Sequence, residues 1–116
     1  MNVKVRKDYI SAYPDPLIAK KGDVFKLQRK KAEWSGWKWC IREDGARGWI
    51  PEKYLEIDGG NATLLIDYDA TEHTAKAGEI LEVITEVAGW YYCLNDKQEK
   101  GWIPKENTHI YKKYSK

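Results

Sequence analysis

Aromatic side chains are the residues of this sequence best suited to chemistry at a surface. The chain of 116 residues holds six Trp and eight Tyr but only one Phe. Indole and phenol rings combine a flat apolar body with a polar N–H or O–H, so they serve in cores and in binding surfaces alike. The Trp and Tyr residues are therefore the first candidates for a binding site.

Groups suited to catalysis are sparse. His73 and His109 are the two histidines, and neither has a Ser or Cys neighbour in sequence that would suggest a nucleophile pair. The sequence has no zinc-ligand spacing and no Gly-rich phosphate loop that leads from a strand into a helix. We therefore expect a protein that is not an enzyme and that needs no metal and no cofactor.

The aromatic residues belong to a sequence repeat. The motifs of one copy return in the same order, at displacements that fall from 59 through 56 to 53 residues. The falling displacement indicates three extra residues in each of two loops of the first copy, because a slip inside a strand would turn its apolar face to solvent. The chain is a duplication, and its matching motifs are Asp8-Tyr9 with Asp67-Tyr68, Lys20 and Gly22 with Lys76 and Gly78, Gly36-Trp37 with Gly89-Trp90, and Gly48-Trp49-Ile50-Pro51 with Gly101-Trp102-Ile103-Pro104.

Each copy has the pattern of short strands separated by turns. The first copy predicts strands at residues 24–27, 37–41 and 47–51, with a tight turn at Glu43-Asp44-Gly45. The second copy predicts strands at residues 80–84, 90–94 and 100–104. No segment shows a sustained helical period, so we expect an all-β fold.

Each copy resembles a Src-homology-3 (SH3) domain, a small five-stranded barrel that binds proline-rich peptides. The family's opening Ala-Leu-Tyr-Asp-Tyr is similar to Leu64-Leu65-Ile66-Asp67-Tyr68 and, more loosely, to Val5-Arg6-Lys7-Asp8-Tyr9. Its Lys-Lys-Gly-Asp stands at residues 20–23, and its Gly-aromatic-Ile-Pro with a following Tyr is complete through Pro51 and Tyr54. The resemblance covers residues 4–57 and 63–111, and it implies two tandem five-stranded SH3-like barrels.

A polar stretch separates the two copies. Asp58-Gly59-Gly60-Asn61 has no apolar anchor and is typical of a short linker. We therefore predict one barrel at residues 1–57, a linker at 58–62, a second barrel at 63–111 and a basic tail at 112–116.

The resemblance also implies a groove for an extended or proline-rich peptide. A polyproline II helix repeats every three residues and docks between aromatic rings and a Pro wall. The implied groove residues of the first copy are Tyr9, Asp15, Trp37, Trp49, Pro51 and Tyr54, and those of the second copy are Tyr68, Trp90, Trp102 and Pro104.

Four positions depart from the family pattern. Lys7 stands where a groove Tyr is usual, and Pro16 stands at the place of an acidic residue, with Asp15 adjacent. In the second copy, Ile66 and Asn107 replace two groove tyrosines. We expect the second groove to be shallower and weaker, or to face the first barrel instead of a ligand.

Charge is distributed unevenly along the chain. Residues 1–57 carry 13 Lys and Arg against 8 Asp and Glu, whereas residues 58–111 carry 4 against 10. Opposite charges favour side-by-side packing of the predicted barrels. The basic first copy and its run Arg29-Lys30-Lys31 offer nucleic acid as an alternative partner, although such a run is more often a solvated loop. The whole-chain charge of +2 is modest and an acidic second barrel would repel phosphate, so we favour a protein or peptide partner.

The cysteines and the chain start bear on the compartment. Cys40 and Cys93 are the same position in two copies, so we expect each in its own core and no disulfide, as in a reducing compartment. No stretch approaches the roughly 18 apolar residues of a membrane span, and the first residues lack a signal-peptide pattern. We expect a cytoplasmic protein that does not bind membranes. A bacterial-type SH3 protein that binds cell-wall peptides is a second alternative, which would need export.

Overall fold

The computed structural model describes residues 1–30 and 35–112, and these residues form an all-β fold with SH3-like barrels, as predicted. The described residues contain no helix that is long and apolar enough to cross a membrane. Two single 3₁₀ turns, Glu52–Tyr54 and Lys105–Asn107, are their only helical segments. The strands are β1 Asn2–Val5, β2 Ile18–Ala19, β3 Val24–Gln28, β4 Trp37–Arg42, β5 Arg47–Pro51, β6 Leu55–Asp58, β7 Asn61–Leu64, β8 Tyr68–Asp69, β9 Ile80–Val87, β10 Trp90–Leu94, β11 Lys100–Pro104 and β12 Thr108–Tyr111.

The chain forms two compact units, which we name for their place along the sequence. The central unit is the continuous segment Asp15–Ala70, and the terminal unit combines Met1–Pro14 with the chain from Thr71 onward. The central unit contains a five-stranded antiparallel sheet in the order β5-β4-β3-β7-β6, together with the pair β2-β8. The terminal unit contains a five-stranded antiparallel sheet in the order β11-β10-β9-β1-β12.

The opening strand of each repeat lies in the sheet built by the other repeat. In the terminal unit, β1 lies between β9 and β12, with Val3 opposite both Leu81 and Ile110. In the central unit, β7 lies between β3 and β6, with Ala62 opposite Phe25. The two repeats have therefore exchanged their first strands.

The segments that follow the exchanged strands make the same side-chain-to-backbone hydrogen bond in both units. In the terminal unit, Asp8 Oδ1 accepts a hydrogen bond of 2.7 Å from the Ala77 N–H. In the central unit, the equivalent Asp67 Oδ1 accepts one of 2.9 Å from the Lys21 N–H. The opening motif of a repeat thus finds the same docking site in either copy.

The predicted barrel boundaries, 1–57 and 63–111, do not coincide with the two units. The predicted linker 58–62 is a tight turn that joins β6 to β7, with Asp58 opposite Asn61 and Gly59 at a φ of 61°. Glycine adopts such positive φ values without the steric cost that other residues meet. The hairpin folds the opening strand of the second repeat back onto the first repeat, so the boundary falls between Ala70 and Thr71 instead. Of the predicted basic tail, residues 113–116 lie outside the described residues, as does Lys31 of the basic run.

Alternating burial along the strands builds a core in each unit. In both cores a cysteine takes a central position, since the Cys40 and Cys93 side chains are fully buried, as predicted. The terminal core consists of Val3, Val5, Ala75, Leu81, Tyr91, Cys93 and Ile103. Buried apolar residues of the central unit include Leu17, Ala19, Phe25, Cys40, Ile50, Leu55, Ala62 and Leu64.

Candidate functional site

The central unit brings together four of the predicted groove residues. Trp37 begins β4 and lies directly opposite Pro51 at the end of β5. Tyr54 ends the 3₁₀ turn that follows Pro51, and Tyr68 begins β8. Because Tyr68 comes from the second repeat, this group of four, which we call the central groove, is built from both copies.

Tyr68 contacts first-repeat residues on two sides. Its hydroxyl donates a hydrogen bond of 2.9 Å to the carbonyl oxygen of Trp49. Its ring meets the ring of Tyr54 edge-on, with centroids 6.0 Å apart and an interplanar angle of 62°. This arrangement is one of the preferred geometries for aromatic pairs. Partial burial raises the pKa of the Tyr54 phenol above its usual value.

The rings of the central groove are unequally exposed. Trp37 and Tyr68 expose 9% and 6% of their surface, whereas Tyr54 and the neighbouring Trp49 are half-buried. Pro51 is fully buried opposite Trp37, where its ring restricts the backbone at the end of β5. A ligand therefore meets chiefly the phenol of Tyr54 and the indole of Trp49.

Trp39, which is buried, packs beside this aromatic surface and was not predicted from sequence. It lies directly opposite Trp49 on the β4–β5 hairpin, with centroids 5.2 Å apart and an interplanar angle of 68°. The Lys30 ammonium lies 3.7 Å from the centroid of the Trp39 ring, within the range of a cation–π interaction. Strand alternation was the available signal, because Trp39 follows Trp37 by two residues and so shares its face.

Asp15 and Pro16 begin the central unit. Asp15 is exposed and Pro16 is half-buried. This end of the unit thus offers a solvent-facing carboxylate at Asp15, next to the position where the family places its acidic residue.

The terminal unit assembles a second aromatic group. Trp90 lies directly opposite Pro104, and the ring of Tyr9 meets the Trp90 ring at 5.9 Å and an interplanar angle of 86°. Trp102 pairs with Tyr92 across the hairpin, with centroids 4.9 Å apart. Tyr9 therefore lies with the Trp of the second repeat, and not with Trp37 and Tyr54 as predicted, because β1 has moved to the other sheet.

An acidic residue that the sequence analysis missed lies beside Tyr9. Glu72 Oε1 accepts hydrogen bonds of 2.7 Å from the Tyr9 hydroxyl and 3.0 Å from the Ala12 N–H. The repeat could have identified Glu72, because the displacement of 56 residues matches it with Pro16 in sequence. The terminal unit therefore has a carboxylate where the central unit has proline.

In the terminal unit, Asn107 stands at the repeat position that Tyr54 has in the central unit. It is buried, and its Nδ2 donates hydrogen bonds of 3.2 Å to the carbonyl oxygens of Lys7 and Asp8. A polar side chain committed to the backbone leaves no ring to contact a peptide. This geometry favours the prediction that the second groove is the weaker of the two.

The two thiols and the buried histidine of the described residues pack inside the units. Burial raises the pKa of both Cys40 and Cys93 to about 12, so each stays a neutral thiol near pH 7. His73 lies buried in the terminal unit, and its Nε2 donates a hydrogen bond of 2.8 Å to the Cys93 carbonyl oxygen. Residues 1–30 and 35–112 include no cluster of three or more His, Cys, Asp or Glu that could hold a metal ion.

Strand exchange also changes the charge balance. The central unit carries 10 Lys and Arg against 10 Asp and Glu, and the remaining residues carry 10 against 8. The basic and acidic halves of the sequence therefore do not correspond to a basic and an acidic unit. The uneven charge of the two sequence halves therefore lends no support to a basic barrel that binds nucleic acid or to attraction between oppositely charged barrels.

Comparison with known proteins identifies one matching family. Residues 3–58 match the family model of a variant SH3 domain. No curated protein and no solved structure matches the chain significantly. The matched segment contains Trp37, Pro51 and Tyr54 of the central groove, but it ends before Tyr68.

Proposed function

We propose that the chain is a non-catalytic module that binds an extended or proline-rich peptide of a partner protein through the central groove. The observation that carries this proposal is the assembly of Trp37, Pro51, Tyr54 and Tyr68 on one unit, with the two tyrosine rings packed edge to face. SH3 domains in general bind protein or peptide ligands, and residues 3–58 match a variant of that domain.

The chemistry of the groove suits a stiff apolar ligand. A polyproline II segment has no internal hydrogen bonds, and being already extended it loses little conformational entropy when it docks. Tyr54 and Trp49 present half-buried rings against which proline side chains can pack, and Pro51 keeps the wall rigid. The groove thus offers apolar ridges and needs no catalytic group.

The buried reduced thiols are in keeping with a cytoplasmic location, which we also propose. Cys40 and Cys93 lie in separate cores and form no disulfide. Free buried cysteines are typical of proteins in reducing compartments. Fractionation of the source cells with an antibody against the chain would test this location, and recovery in the exported fraction would contradict it.

A two-dimensional amide NMR titration of the full chain with a pooled set of proline-rich peptides tests the binding function. We expect shifts at the Trp37 indole and at Tyr54, with little change at Trp90. The variant Tyr54→Ala should weaken binding by about tenfold or more, as for a central interface aromatic. Tyr13→Ala serves as the control, because Tyr13 is exposed and belongs to the terminal unit.

The outcomes separate the candidate functions. Binding that survives Tyr54→Ala but is lost in Tyr13→Ala would place the site elsewhere on the chain. If neither indole moves while both units are folded, the proline-peptide function fails. The same titration with muropeptide fragments would then test recognition of cell-wall peptides.

A further inference from the structure

We infer that the central groove is a joint product of the two repeats, in which Tyr68 of the second repeat is a positioning residue for Tyr54 and Trp49. The ligand-binding unit is accordingly Asp15–Ala70, and not the segment 3–58 that matches the family model. This inference rests on the proposed function and adds to it the residues that must be present together.

The first step is the way in which the chain delivers Tyr68. Strand β7 lies inside the sheet of the central unit, where Ala62 and Leu64 are buried. Strand β8 then pairs with β2, with Tyr68 opposite Ala19 and Asp69 opposite Ile18. Two strand pairings therefore fix the position of Tyr68 relative to residues of the first repeat.

The second step is the polar contact of the Tyr68 side chain. Its hydroxyl satisfies the carbonyl oxygen of Trp49, which is itself a residue of the aromatic surface. Its ring supports the half-buried ring of Tyr54 from one side. Loss of the Tyr68 ring would therefore leave Tyr54 without this support and change the wall that a peptide contacts.

The third step is that the equivalent residue, Tyr9, is held in the terminal unit by its own contacts. Tyr9 and Ala75 exchange two backbone hydrogen bonds of 2.8 Å. The Tyr9 hydroxyl binds Glu72, and its ring packs on Trp90. The first repeat thus cannot supply its own Tyr9 to the central groove in this fold.

The segment that delivers Tyr68 also determines the chemistry of the ligand. Leu65 and Ile66 directly precede Asp67-Tyr68, and 41% and 45% of their surfaces are exposed. Ile66 replaces a tyrosine of the family pattern and has no hydroxyl with which to bind a peptide carbonyl. The Leu65 N–H donates a hydrogen bond of 2.8 Å to the Tyr54 carbonyl oxygen, so this exposed apolar stretch begins next to Tyr54 and suits aliphatic or proline side chains of an extended peptide.

Matched variants of the full chain test the inference. The probe is the peptide of the proline-rich pool that gives the largest shifts at the Trp37 indole. We expect Tyr68→Ala to weaken its binding by about tenfold or more, and Tyr9→Ala by less than about twofold. Equal effects, or a larger effect of Tyr9→Ala, would overturn the inference.

Conservative variants keep the test decisive if Tyr68→Ala does not fold. Tyr68→Phe removes only the hydrogen bond to Trp49, so the Ile50 amide that follows this carbonyl should shift and the probe should bind more weakly. Tyr9→Phe should move the Ala12 amide, which shares the Glu72 carboxylate, and leave both Ile50 and the affinity unchanged. If Tyr68→Phe shifted the Ala12 amide and Tyr9→Phe shifted the Ile50 amide, the composite groove would be contradicted. This comparison needs no bound ligand. Absence of binding to wild type, with the expected amide shifts, would instead refute the proposed function alone.

Discussion

The carboxamide Nδ2 of Asn107 donates a hydrogen bond of 3.2 Å to the carbonyl oxygen of Asp8, which lies 99 residues earlier in the chain. A second bond of 3.2 Å reaches the Lys7 carbonyl oxygen, and the Arg6 N–H donates to the Asn107 carbonyl oxygen at 2.8 Å. One buried side chain therefore fastens the N-terminal arm to the unit built by the second repeat.

Asn107→Ala should destabilise the terminal unit. The substitution leaves two backbone carbonyls of the arm without this donor, and a buried unsatisfied group costs about 1–3 kcal/mol. Urea denaturation followed by amide NMR would measure the loss at resonances of the terminal unit. Asn61→Ala is the control, since Asn61 is exposed in β7 and a surface change there costs within about 0.5 kcal/mol. Equal effects of the two substitutions would contradict the fastening role.

Strand exchange predicts that a charge placed in one repeat disrupts the unit that carries the other repeat's Trp. Val3 and Ala62 are equivalent positions, and both are buried. Val3→Asp should unfold the terminal unit, and Ala62→Asp the central unit, because an unpaired buried charge costs several kcal/mol or more. The indole resonances of Trp90 and Trp37 report the two units separately. Loss of Trp37 dispersion in Val3→Asp, with Trp90 intact, would refute the exchange.

Two glycines should reject even a methyl group. A Cβ on Gly101 would lie 3.1 Å from the His73 ring and from its backbone N, and a Cβ on Gly48 would lie 3.0 Å from the Leu17 Cβ. Overpacking of this kind costs roughly 1–3 kcal/mol. Thermal denaturation of Gly101→Ala and Gly48→Ala should therefore show lower midpoints, with Gly60→Ala as the control because no atom lies within 4 Å of its added Cβ. A midpoint for Gly101→Ala as high as that of Gly60→Ala would show that the contact yields without cost.

The two thiols predict a loss of stability at alkaline pH. Burial raises the pKa of Cys40 and Cys93 from 9.0 to about 12, so above pH 9 the unfolded thiols ionise while the folded ones stay neutral. Each thiol should therefore lower the free energy of unfolding by about 1.4 kcal/mol per pH unit between pH 9 and 12.

Comparison of wild type with Cys40→Ala and Cys93→Ala isolates this effect from other groups that titrate in the same range. Each variant should show a shallower fall in stability above pH 9. In native protein at pH 8, a thiol reagent should label neither cysteine, and both should react in denaturant. Rapid labelling of the native chain would contradict the assignment of both thiols to the cores.

The strands followed from local sequence patterns. Short strand segments between turn signals, matched across the repeat, identified β5, β10 and β11 with their observed bounds, and β3, β4 and β9 with extensions of one to three residues. Side chains in a strand alternate between faces wherever the strand lies, so this signal does not depend on the rest of the chain. The repeat likewise placed Cys40 and Cys93 in cores, because they are the same position in the two copies.

Part of the site also followed from sequence. Trp37, Pro51 and Tyr54 lie in one contiguous segment, and the structure brings them together. Two further residues could have been predicted. The repeat matches Glu72 with Pro16, and strand alternation places Trp39 on the face of Trp37. The sequence could not predict which of the two grooves receives Tyr9 and which receives Tyr68.

Only the tertiary structure decided which repeat each opening strand completes. Val3 and Val5 in β1 and Ala62 and Leu64 in β7 have the same alternation and the same docking contacts, so sequence pattern fits either strand to either sheet. The choice depends on chain connection: a two-residue turn holds β7 against β6, and closing a hairpin costs far less entropy than closing a loop of some fifty residues. With β7 in the central sheet, β1 completes the other one, and Tyr68 and Tyr9 follow their strands.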